Sequence, residues 1–178
     1  MLKIIAIVAV AIAIAMAVVL VLAMTKPDSF RVQRSLTIKA PADALFALID
    51  DFRRWGTWSP WENKDPEMKR TFSGAPNGKG AVYAWDGNKN VGSGRMEILE
   101  SLAPSNIVIK LDFFKPFEGH NTAEFTLSPQ GGSTTVVWVM HGPAPLMSRV
   151  MQVFMNFDSM IGKDFEQGLV NLRKATEQ

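Results

Sequence analysis

Three hydrophobic patterns follow one another along this chain: an unbroken apolar run, a series of alternating segments, and a long helical stripe. Residues 4–24 are 21 consecutive uncharged side chains, all Ala, Val, Ile, Leu or Met. At about 1.5 Å per residue, a helix of that length covers roughly 30 Å, the hydrocarbon thickness of a bilayer. Phe30, Val32, Leu36 and Ile38 then recur at a loose period of two, which predicts a strand over residues 30–38 that stops at Ala40-Pro41. Pro41 suits a helix start, where its missing N–H would be unpaired anyway. Leu45, Phe46, Leu48 and Ile49 give a helical stripe that Phe52, Trp55 and Trp58 continue, and Pro60 ends it before Trp61 and Glu62.

Alternation resumes beyond this helix pair. Short strands are predicted over 68–73, 81–85, 91–100, 107–114, 123–127 and 136–140, giving five or six successive antiparallel strands. Their separators are turn formers: the glycine-rich run at 74–80, Asp86-Gly87-Asn88, Ala103-Pro104, and Gly131-Gly132. Gly142-Pro143-Ala144-Pro145 breaks the sheet. Leu146, Val150, Val153, Phe157, Ile161, Phe165, Leu169 and Leu172 then form the core stripe of one long helix over 146–175. A second apolar row, Met147, Met151, Phe154 and Met155, makes its first half apolar around most of the circumference. That predicts burial on two sides, contact with a membrane interface, or a flexible Met-lined cavity wall.

The residues Ile38, Ala40-Pro41, Phe46, Ile49, Asp51-Phe52, Trp55 and Trp58-Ser59-Pro60-Trp61-Glu62 together resemble the SRPBCC superfamily of START-like and polyketide-cyclase-like proteins. The likeness extends through 78–85, Gly92-Ser93-Gly94, Lys115-Pro116-Phe117 and 160–165, and so covers roughly residues 29–175. It implies an α+β helix-grip fold, in which a bent antiparallel sheet grips a long C-terminal helix around an apolar cavity. Chemistry does not follow from that likeness, because a shared fold does not imply a shared function.

The chain therefore divides into an anchor, residues 1–26, and one helix-grip domain, residues 27–178. The apolar run reads as a retained transmembrane helix. It exceeds the roughly 7–15 residues of a signal-peptide core, and no small-x-small cleavage site follows near Thr25-Lys26. Flanking Lys and Arg favour a cytoplasmic domain and the short leading tail favours the opposite, so the side of this single-pass protein stays open. Lys3 and Lys26 account for the excess of 19 basic over 17 acidic residues, leaving 27–178 formally neutral. A neutral domain argues against nucleic acid as a partner. With no cysteine there is no thiolate nucleophile and no disulfide.

Candidate chemistry is sparse. The run 74–80 is one residue short of a phosphate loop and lacks the Ser or Thr that would hold magnesium, and Gly92-Ser93-Gly94 reads as a strand bulge. His120 and His141 have no carboxylate at metal-ligand spacing, so neither a metal nor a cofactor is expected. His120 and Glu62 are the best available acid/base candidates. Trp58, Trp61, Trp85, Phe113, Phe117 and Trp138 form a large aromatic inventory, and the resemblance implies that several face the cavity, joined by Met151, Phe154 and Met155 of the last helix. The leading expectation is a membrane-anchored domain that binds a small hydrophobic or lipid-like molecule without chemistry. The alternatives are a cyclase or dehydratase acting through His120 or Glu62, and a protein-interaction module, which would have a filled cavity and an exposed apolar patch.

Overall fold

Strand β1 (Ser29–Ile38) is one edge of a seven-stranded antiparallel sheet whose order is β1-β7-β6-β5-β4-β3-β2. The computed structural model describes residues 1–176. The remaining strands are β2 (Lys69–Gly74), β3 (Ala81–Asp86), β4 (Ser93–Leu102), β5 (Asn106–Lys115), β6 (Gly119–Gln130) and β7 (Ser133–Pro143). All six strands predicted beyond the helix pair are present, and the first pairs with the last, so β1 and β2 lie on opposite edges. Helix α2 (Ala42–Ile49) and two 3-10 turns, Phe52–Thr57 and Pro60–Asn63, carry the chain between those edges. A register shift between Ser93 and Gly94 is the bulge that this glycine pair predicts, and it helps bend the sheet.

The alternating pattern sorts the two faces. Ile107, Ile109 and Leu111 of β5, Ala123, Phe125 and Leu127 of β6, and Val136, Trp138 and Met140 of β7 are buried on the inner face. They pack against Leu45, Phe46 and Ile49 of α2 and against Phe165, Leu169 and Leu172 of the C-terminal helix. The outer face bears the charged residues between them, among them Lys110, Asp112, His120, Glu124 and His141.

The single long C-terminal helix expected over 146–175 is two helices, α3 (Leu146–Phe154) and α4 (Phe157–Thr176). Met155 is extended, at φ −132° and ψ 139°. Asn156 supplies the reason: its Oδ1 accepts from the Ser159 N–H at 3.0 Å, capping the start of α4, and Asp158 follows in the first turn. The apolar stripe runs through the break and conceals it. Only α4 is gripped by the sheet. Helix α3 packs instead on α1 (Leu2–Met24), where Ala23 is fully buried.

Two glycines let α4 lie close. A Cβ at Gly168 would stand 2.8 Å from the Trp138 ring and 3.2 Å from Pro60, and one at Gly162 would collide with the Arg34 guanidinium. Arg34 uses that room to bind Asp158 at 3.0 Å and Glu166 at 2.7 Å, tying β1 to the start of α4. Replacing Gly168 by Val should destabilise the domain by about 1–3 kcal/mol through overpacking, read as a lower denaturant midpoint at unchanged slope. An unchanged midpoint would show that α4 can lift off Trp138 at no cost.

Candidate functional site

Between the sheet and α4 the aromatic side chains form one seam. The Trp138 ring stacks on Phe165 with centroids 4.1 Å apart and planes within 5°. Trp61 meets both edge-on, at 5.6 and 6.1 Å. The seam continues from Trp138 through Trp58, Trp55, Phe52, Tyr83 and Trp85 to Phe113, each ring 4.8–6.1 Å from the next. The indole N–H groups of Trp55, Trp58 and Trp85 donate to the carbonyls of Ile49, Leu48 and Val91. Trp138 Nε1 is buried without a hydrogen-bond partner among the described residues. Five of the expected ligand contacts, Trp58, Trp61, Trp85, Phe113 and Trp138, thus belong to one seam of rings packed on one another.

The other four lie elsewhere. Phe117 sits in the β5–β6 turn and is 58% exposed. Met151, Phe154 and Met155 belong to α3 and the break after it, with Met151 half-buried and Phe154 71% exposed. Strand register relates the two groups: Ser29 is opposite Pro143, His141 opposite Thr122, and Gly119 opposite Phe113. The Phe117 turn therefore lies at the end of the sheet where the chain arrives from α1. Exposed Phe114, Leu146 and Met147 add to the apolar surface of that end.

A groove of about 550 Å³ opens there, between the start of β1 and the α3–α4 break. Phe30, Val153, Phe154 and Phe157 give it apolar walls, while Lys26, Arg31 and Gln152 line its polar side. A second depression of about 420 Å³ adjoins it across Phe30 and Arg31 and reaches His141. Charge and periodicity do not reveal this groove in the sequence, because the helix break that forms it is hidden by the stripe. The side-chain oxygen of Asn156, followed by Asp158, was the available signal.

Both acid/base candidates are already engaged. Glu62 is nearly buried, and its carboxylate accepts from Tyr83 Oη at 2.7 Å and Arg70 Nε at 2.6 Å. Burial, followed by that hydrogen bond, pushes the Tyr83 phenol up. Changing Glu62 to Gln should cost about 1–3 kcal/mol of stability, measured by thermal unfolding; a free carboxylate at this position would make the substitution neutral. His120 lies on the outer face of the sheet, 61% exposed, with Nδ1 2.8 Å from Asp112 Oδ1. Burial alone would raise Asp112, but Lys110 and His120 outweigh it and hold its carboxyl below the usual range. In return the Asp112 hydrogen bond raises the His120 imidazole above its ordinary 6.5. This pairing is fully present below pH 6.5 and is lost as pH rises through the raised value. In an NMR titration, Asp112→Asn should lower the His120 midpoint, and an unchanged midpoint would show that the contact carries no charge coupling.

A bent antiparallel sheet gripping a C-terminal helix, with the tryptophan-rich segment packed beneath that helix, defines a START-like protein of SRPBCC type. The chain belongs to the family of polyketide cyclases, dehydrases and lipid transport proteins, whose sequence profile matches residues 29–177. No curated protein is similar to it in sequence. Solved structures share its fold. A protein from Thermobifida fusca is 21% identical with a TM-score of 0.61, over 82% of this chain and 92% of that one. The Aha1 dimer from Colwellia psychrerythraea is 13% identical with a TM-score of 0.60, over 83% and 96%. The di-domain ARO/CYC protein BexL from the BE-7585A biosynthetic pathway is 13% identical with a TM-score of 0.61, over 88% of this chain and 53% of that one.

Proposed function

We propose that this protein is a membrane-anchored binding domain that holds a small hydrophobic or lipid-like molecule without transforming it. The observation that carries this reading is the position of the groove: it opens beside Lys26, two residues beyond the only helix among the described residues that is long and apolar enough to cross a membrane, Lys3–Met24. A ligand that partitions into a bilayer would meet this opening directly. Phe114, Phe117, Leu146, Met147 and Phe154, all exposed at the same end, would sit in the interface, where apolar side chains gain by leaving water. The family's lipid transport members agree with the ligand class.

Binding without turnover is supported by where the acid/base groups lie. His120 pairs with Asp112 on the outer face of the sheet, Glu62 is held by Arg70 and Tyr83, and His141, which borders the depression beside the groove, has its Nε2 3.1 Å from Glu124 Oε1. The cyclase alternative would need one of these groups to reach a ligand. A protein-interaction reading has two supports, the aromatic seam packed beneath α4, since such a module needs no cavity, and the exposed apolar side chains at the end of the sheet.

The full chain, purified from its source membrane in mild detergent and analysed by native mass spectrometry with lipid extraction, should retain a stoichiometric apolar molecule. An empty protein whose tryptophan fluorescence also ignores a panel of lipids and polyketides would overturn the reading and favour a protein partner.

A further inference from the structure

We infer that the groove at the foot of α1 is a headgroup site for an anionic phospholipid of the bilayer, an inference that rests on the membrane-anchored binding reading above. Its first support is charge. Lys26 and Arg31 line the groove, and neither pairs with a carboxylate among the described residues; Arg31 reaches only the Gln33 side-chain oxygen, at 3.0 Å. The carboxylate in the lining, Asp158, is taken by Arg34, whose Nη1 and Nη2 each stand 3.0 Å from one of its oxygens. The groove is therefore cationic although the domain as a whole is neutral.

The second support is a pair of donors with nothing to donate to. Arg149 Nε and Gln152 Nε2 are buried and have no hydrogen-bond partner among the described residues. They stand three residues apart on α3, and so on one face of it, and Gln152 lines the groove. The helix that packs on α3 is α1, which is apolar and offers no side-chain oxygen or nitrogen acceptor over residues 4–24. Buried donors ordinarily find an acceptor. A phosphodiester oxygen provides several, and accepts best from cationic donors.

Position supplies the third. Lys26 follows the apolar run by two residues, which sets it at the depth of phosphate groups, where basic side chains attract anionic lipids. Phe30, Val153 and Phe154 continue the groove as an apolar track for an acyl chain. The ligand chemistry that satisfies all three is an anionic phosphate joined to a hydrocarbon tail. Inorganic phosphate shares the head and lacks the tail.

The test compares the full chain in nanodiscs of phosphatidylcholine alone with nanodiscs containing about 30 mol % phosphatidylglycerol, reading the lipid that stays bound after transfer to detergent by native mass spectrometry. Phosphatidylglycerol should be retained in preference to phosphatidylcholine by roughly tenfold or more. Arg31→Glu, an exposed change on an edge strand, should abolish that preference while the protein still floats with vesicles. Arg149→Met should weaken it without reversing charge in the groove. Retention of both lipids alike would overturn the headgroup site and leave the binding reading standing, whereas retention of neither would remove both. Displacement of the lipid by millimolar inorganic phosphate alone would also overturn it, by showing a free-phosphate site. Preference undiminished in Arg31→Glu and Arg149→Met would place the anionic lipid elsewhere.

Discussion

The face-to-face contact between Trp138 and Phe165 sets the height of α4 above the sheet, and the rest of the domain is arranged around that height. Rings stacked 4.1 Å apart leave no room for a side chain between helix and strand, which is why residue 168, directly over Trp138, is glycine. With the helix held down, Trp61 and Trp58 close on the stack edge-on, the geometry that opposed ring quadrupoles favour. Each such pair adds about 0.5–1.5 kcal/mol beyond its buried area. The consequence for function is geometric. The rings pack on one another beneath this helix, whereas the groove lies at the end of the sheet where the chain arrives from α1.

That groove exists because the C-terminal helix is broken. Had residues 146–175 formed one straight helix, α3 would have prolonged the axis of α4 along the sheet. Instead Met155 is extended and Asn156 starts α4 afresh, so α3 turns to lie on α1. The break and β1 then stand apart, with Phe30 facing Val153 and Phe157 across the gap. Arg34 holds the far side of this opening in place by gripping both Asp158 and Glu166, about two turns of α4 apart, through the space that Gly162 leaves.

Much of this was legible in the sequence. Period-two alternation with glycine and proline separators located every strand beyond the helix pair, because one face of each is buried and the other is not. The apolar run of α1 needed no pattern at all. The tryptophan cluster at 55–61 marked the segment beneath the C-terminal helix, but whether Trp58, Trp61 and Trp138 would line a space or fill it depends on ring-to-ring distances, which no spacing encodes. The histidines show the same limit. Register decides that His120 shares a face with Asp112 and points outward, and a shift of one residue would have put it in the core. The groove was least legible, since it arises from a helix stop made by a single asparagine inside an otherwise continuous stripe.

Charge pairing connects these features. A domain with equal numbers of acidic and basic residues acquires a cationic groove only if its carboxylates are committed elsewhere, and Arg34 commits two of them. Its hydrogen bond to Asp158 holds that carboxyl below the ordinary carboxylate range. The interaction is therefore complete above the unfolded value of 3.8 and is lost only as pH falls through the lowered one. Across physiological pH, Asp158 stays ionised and occupied, and cannot neutralise Lys26 or Arg31. The same ion pair that fixes the start of α4 thus keeps the basic side chains at the foot of α1 available, so the packing of the fold and the electrostatics of the groove are set by one residue.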